Sequence, residues 1–122
     1  MKVQLQHQSV RIRLDEDELA RLLAGDTLGN LTRFGTAPPW ALLVALGEQD
    51  AAALVYEGHT PRIVLPAGLI RAYSERLPCR DGLSFALEHG HELLKLQFDV
   101  DVRDSVRQRG AVRRRAPEAA PT

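Results

Sequence analysis

The sequence predicts an α+β domain, with a mostly antiparallel sheet of about six or seven strands and two short helices packed against one face. Several segments carry apolar residues at every second position, as strands with one buried face do. Two other segments, 15–25 and 66–77, carry them at helical spacing. Glycine and proline separate these segments, so the elements are short.

The first strand is predicted over residues 3–14, and it contains an irregularity. Leu5 and Val10 lie on opposite faces if the alternation is strict. A bulge or turn within residues 7–9 would place both on one face, together with Val3, Ile12 and Leu14.

The first helix follows directly, with Asp15 as its N-cap and Gly25 as its end. Its buried stripe is Leu19, Leu22 and Leu23. The second helix begins after Pro66 and ends at Pro78. Its apolar residues are Leu69, Ile70, Tyr73 and Leu77.

The remaining strands are predicted from apolar runs bounded by turn residues. They cover residues 27–35, 40–46, 53–57, 62–66, 83–87 and 94–102. Three successive runs in the middle of the chain indicate an antiparallel meander, and His89-Gly90-His91 indicates the turn of a final hairpin. The predicted core contains Val10, Ile12, Leu19, Leu22, Leu23, Leu43, Leu54, Ile63, Leu65, Ile70, Tyr73, Phe85, Leu96 and Phe98.

The chain is predicted to form one domain, residues 1–103, followed by a disordered arginine-rich tail, residues 104–122. Residues 103–122 contain six arginines against Asp104 and Glu118, so this segment carries +4 and residues 1–102 carry −4. No internal repeat is evident. A lone cysteine and the lack of a signal-peptide or membrane-spanning run predict a cytoplasmic protein of bacterial type.

The candidate binding site lies on the first strand, where Ser9, Arg11 and Arg13 project from the face opposite the apolar residues. Guanidinium groups bind phosphate and carboxylate through paired hydrogen bonds, and Arg33 could add to the patch. These four residues are the predicted anion ligands. The alternative is a solvated strand face whose arginines pair with acids elsewhere.

Other constellations predict no chemistry. His89 and His91 alternate in a tight turn and lack further ligands, so no metal site is predicted. Cys79 has no histidine near it in sequence, and no nucleophile motif or phosphate-binding glycine loop is present. We therefore assign no catalytic residue and expect no cofactor, while leaving open whether the protein is an enzyme.

The opening of the chain resembles a family of small bacterial proteins of unassigned function. Their shared pattern is a Ser-x-Arg-x-Arg-Leu strand, a short helix and Thr-x-Phe-Gly, matched here by Ser9, Arg11, Arg13, Leu14, Thr32, Phe34 and Gly35. The resemblance covers residues 2–102 and implies a strand-rich α+β domain. It implies no catalytic residues.

The leading functional hypothesis is a non-catalytic binding or interaction module whose partner is a protein or a small anion. Two alternatives remain open: a small enzyme of unrecognised type, and a nucleic-acid accessory protein that makes weak contacts through its basic tail. No membrane partner is predicted.

Overall fold

The computed structural model describes residues 1–102, which form eight strands and two helices. The predicted tail, residues 104–122, lies outside this part of the chain. The elements in order are β1 (Lys2–Gln6), β2 (Ser9–Leu14), α1 (Glu16–Leu23), β3 (Leu28–Thr32), β4 (Trp40–Gly47), β5 (Ala53–Glu57), β6 (Thr60–Pro66), α2 (Ala67–Glu75), β7 (Leu83–His89) and β8 (Glu92–Val100). None of the helices in the described residues is long and apolar enough to cross a membrane.

The strands form two four-stranded sheets, so the α+β class is confirmed, whereas the prediction of one sheet of six or seven strands is wrong. The terminal sheet has the order β1-β2-β8-β7, and the central sheet has the order β3-β4-β6-β5. In each sheet the two inner strands are parallel and the outer pairs are antiparallel. Both sheets are therefore mixed. The parallel pair β2 and β8 joins the two ends of the domain, a contact that neighbouring sequence patterns do not reveal.

The element order repeats, which corrects the expectation of no internal repeat. β1-β2-α1-β3-β4 is followed by β5-β6-α2-β7-β8 within residues 1–102. Each sheet combines a hairpin from one half with a hairpin from the other. Arg11, Ile12 and Leu14 recur as Arg62, Ile63 and Leu65 at one constant interval. The two halves thus share a ββαββ plan although most of their side chains differ.

The irregularity predicted near residues 7–9 is a hairpin turn rather than a bulge within one strand. His7 has a φ of 53°, and Gly58 has a φ of 64° in the matching turn of the second half. The left-handed conformation at this position closes a tight hairpin. β1 and β2 consequently form an antiparallel pair in which Leu5 lies opposite Val10.

Helix α1 begins as predicted. The Asp15 side chain accepts a hydrogen bond from the Glu18 backbone N–H at 2.8 Å, and the Glu18 side chain accepts one from the Asp15 N–H at 3.0 Å. This reciprocal capping box satisfies two backbone donors that the first turn leaves unpaired. The acidic cluster at residues 15–18 therefore has a structural role.

One apolar cluster joins both sheets and both helices. Ten of the predicted core residues are buried in it, but Leu43 points to the other face of β4, and Leu23, Leu54 and Phe85 are only half-buried. β4 carries apolar residues on both faces, so its sequence does not reveal which face is inward. The cluster also contains Leu14, Leu28, Leu42, Val44, Leu87 and Val100, which the predicted core did not include.

Tyr73 connects the second helix to β8 in the centre of this cluster. Its ring packs edge-on against Phe98 with centroids 6.0 Å apart, and its hydroxyl accepts a hydrogen bond from the Val100 N–H at 3.3 Å. Burial raises the pKa of the Tyr73 phenol above its ordinary value of 10.0, because the phenolate would lose its hydration.

This raised pKa predicts a loss of stability in alkaline solution. Above pH 10 the unfolded chain releases the Tyr73 proton while the folded chain still holds it, so stability falls as pH rises toward the folded pKa. Below pH 10 the residue adds no pH dependence. Tyr73→Phe should flatten the alkaline fall by up to about 1.4 kcal/mol per pH unit, measured by urea unfolding at a series of pH values. Equal slopes in both proteins above pH 10 would contradict the assignment.

Candidate anion-binding face

The central strands of the terminal sheet direct their apolar residues toward the core and their polar residues outward. The outer surface of this sheet is therefore polar. Val10, Ile12 and Leu14 of β2 are buried, and the residues between them project outward. The strand register aligns the outward residues in rows across the sheet. The rows are Lys2–Arg13–Asp99, Gln4–Arg11–Gln97–Ser84 and Gln6–Ser9–Lys95–Ala86. We call Lys2, Arg11, Arg13 and Lys95 the cationic face.

A groove of about 540 Å³ lies on this surface. This volume is within the range of small-molecule sites. Its polar lining residues come from all four strands and are Gln4, Gln6, Ser9, Arg11, Ser84, Lys95 and Gln97. Arg11 and Lys95 supply two positive charges, and no Asp or Glu lines the groove. The groove is therefore suited to an anion with hydrogen-bonding substituents.

Arg11 is held in position by an ion pair with Asp99, which belongs to the next row of the same face. Its Nε lies 2.7 Å from Oδ2 of Asp99, whose side chain is 10% exposed. The Arg11 side chain is 46% exposed. Because Asp99 is engaged through Nε, the two terminal nitrogens of Arg11 remain available to a ligand on the solvent side.

Asp99 is positioned in turn by its neighbours. The Gln97 Nε2 lies 3.5 Å from Oδ1 of Asp99, and the Gln97 Oε1 accepts a hydrogen bond from the Ser84 hydroxyl at 2.9 Å. Gly82 lies directly beside this carboxylate, where any Cβ would collide with Oδ1. The chain from Ser84 to Arg11 fixes the orientation of the guanidinium before a ligand binds.

The four predicted ligands have three different locations. Ser9 and Arg11 both line the groove. Arg13 occupies the next row of the same face and does not line it. Arg33 follows β3 of the other sheet, in the loop that leads to β4, and is not part of the groove lining.

The histidine and cysteine to which the sequence assigned no function make contacts within the fold. The ring of His89 packs edge-on against Tyr56 with centroids 5.5 Å apart. The Cys79 thiol donates a hydrogen bond to the Asp81 carbonyl oxygen at 3.1 Å. Within residues 1–102, no three His, Cys, Asp or Glu side chains are grouped so that they could hold a metal ion.

Three comparisons bear on identity. No protein-family model matches the chain, and no curated protein and no solved structure does so either. The function is therefore inferred from the geometry of the face.

Sequence reasoning missed Lys95, Gln97 and Ser84. Lys95 and Gln97 belong to a strand that pairs with β2 in parallel, and an antiparallel meander gave no reason to place β8 beside β2. Apolar and polar residues alternate along this part of β8, which places both side chains on the outward face. This pattern is visible in the sequence.

Proposed function

We propose that the protein is a non-catalytic binding module that holds a phosphate or carboxylate group in the groove of the terminal sheet. The observation that carries the proposal is the pair Arg11 and Lys95, which face one concavity with no acidic side chain in its lining. Arg11 would bind the anion through its terminal nitrogens. Lys95 would add a second charge, since its side chain forms no ion pair with any residue from 1 to 102.

The neutral lining residues would recognise the rest of the ligand. Ser9, Gln4 and Gln6 present hydroxyl and amide groups at the groove. Such groups hydrogen-bond to polar substituents without adding charge. The ligand class that fits is a small polar molecule with one anionic group. Membership of the bacterial family that the opening residues resemble would be compatible with such a ligand.

The test is thermal unfolding of the full chain in inorganic phosphate, compared with sodium chloride of the same ionic strength. A ligand that binds the folded state stabilises it by about 2.7 kcal/mol at a hundredfold excess over Kd, so the Tm should rise by several degrees with phosphate. The double variant Arg11→Gln/Asp99→Asn should remove this rise. It keeps the net charge of the chain and avoids leaving Asp99 buried without its partner.

A control that lowers the net charge of the chain by two separates the site from the overall field. Arg21→Gln/Arg71→Gln removes two exposed cations from the helices and leaves the face intact. This control should keep the full Tm rise in phosphate. The proposal is wrong if phosphate stabilises the double variant as strongly as the wild type, or if it stabilises neither protein.

A further inference from the structure

Arg13 is the cation of the face whose interactions are incomplete. Its Nε is buried and has no hydrogen-bond partner, although Asp99 lies directly opposite it in the strand register. Asp99 forms its ion pair with Arg11 instead, through Oδ2. A buried donor on a charged group costs free energy until it meets an acceptor. Among residues 1–102 Arg13 forms no ion pair, so no acidic side chain compensates its charge directly.

The four cations extend along the sheet. Arg11 and Arg13 are two residues apart on one strand, which separates them by about 6.6 Å. Lys2 lies opposite Arg13 on β1, and Lys95 lies opposite Ser9 at the other end. The face thus spans about 13 Å along the strands. A single phosphate in the groove would leave Lys2 and Arg13 unused.

We infer that this face also binds the phosphodiester backbone of a nucleic acid, without regard to base sequence. The inference rests on the proposed function, since Arg11 and Lys95 would hold one phosphate. Lys2 and Arg13 would then hold a second one along the same backbone. Phosphates repeat at every nucleotide of a nucleic-acid strand, so a row of cations along one face can contact more than one of them.

The neighbouring side chains fit this ligand class. Arginine, lysine, serine and glutamine are the residue types that contact backbone phosphates, and all four occur in these rows. Contacts of this kind position a backbone and do not read its sequence.

The experiment measures binding of the full chain to a fluorescent DNA duplex of about 16 base pairs, by anisotropy, between about 50 and 200 mM salt. Lys2→Gln/Arg13→Gln should reduce the slope of log K against log salt by about 1, because the two residues together hold one phosphate and each lost phosphate contact reduces the slope by about 1. This variant should keep its stabilisation by inorganic phosphate, because neither residue lines the groove. Arg21→Gln/Arg71→Gln should leave the slope unchanged.

Several outcomes would overturn the inference. One is an equal loss of slope in the helix control, and another is no change of slope in Lys2→Gln/Arg13→Gln. A third is complete loss of binding in Arg113→Gln/Arg114→Gln/Arg115→Gln, which would assign the contact to the tail. Equal competition by polyglutamate would indicate an acidic protein instead.

The two proposals fail separately. If phosphate stabilises the protein but the duplex does not bind, only the nucleic-acid inference is wrong. If the duplex binds with a slope that depends on Lys2 and Arg13 while phosphate gives no stabilisation, the small-anion function is wrong.

Discussion

Phe98→Ala should lower the free energy of unfolding by about 3–5 kcal/mol, the largest effect that we expect from a single substitution. The Phe98 side chain is fully buried and lies opposite Ile12 and Leu83 on the two neighbouring strands. Its ring also contacts Tyr73. Removing the ring would leave a cavity where the parallel strand pair meets the second helix, and the surrounding strands can close it only in part.

Phe34→Ala is the matched control for this change. Phe34 is 65% exposed, so the same substitution should change stability by no more than about 0.5 kcal/mol. Both values would come from urea unfolding followed by circular dichroism. A loss below about 1 kcal/mol for Phe98→Ala would mean that β8 does not pack on the core as described.

Gly82→Ala should cost about 1–3 kcal/mol and should disturb the groove as well. An added Cβ would collide with Oδ1 of Asp99 and with the backbone carbonyl oxygen of Phe98. The carbonyl cannot move without shifting β8, and the carboxylate can move only by loosening its contact with Arg11. We therefore expect weaker stabilisation by phosphate in this variant in addition to lower stability.

Gly68→Ala controls for the change of glycine to alanine itself. A Cβ at Gly68 would meet no atom within 4 Å, and the residue lies within helix α2. Alanine favours a helix by up to about 1 kcal/mol over glycine, so this variant should be stabilised. If Gly82→Ala were as stable as the wild type, the Asp99 carboxylate would have free space beside it. It could then not hold Arg11 in the orientation described.

The sequence predicted the elements of this fold better than their arrangement. The helix at Glu16–Leu23 was predictable because its cap and its leucine stripe are local features. The sheets were not, because the pairings of β2 with β8 and of β4 with β6 are parallel and connect distant segments. Turn residues signal only the antiparallel hairpins between neighbours.

The candidate site shows the same division. Ser9 and Arg11 could be assigned to one outward face from the alternation of β2 alone. Lys95 and the Asp99 carboxylate join that face only through the pairing of β8 with β2, so a reading of single segments could not find them. Arg33 was grouped with them by residue type, and its position after β3 belongs to the other sheet.

Binding of anions by the outer surface of the terminal sheet is tested most directly by an NMR titration of the full chain with inorganic phosphate. We expect saturable shifts of the backbone amides of Ser9, Arg11 and Lys95, with no matching shifts at Arg21 and Arg71. Shifts confined to the helices, or no saturable shift on β2 and β8, would contradict it.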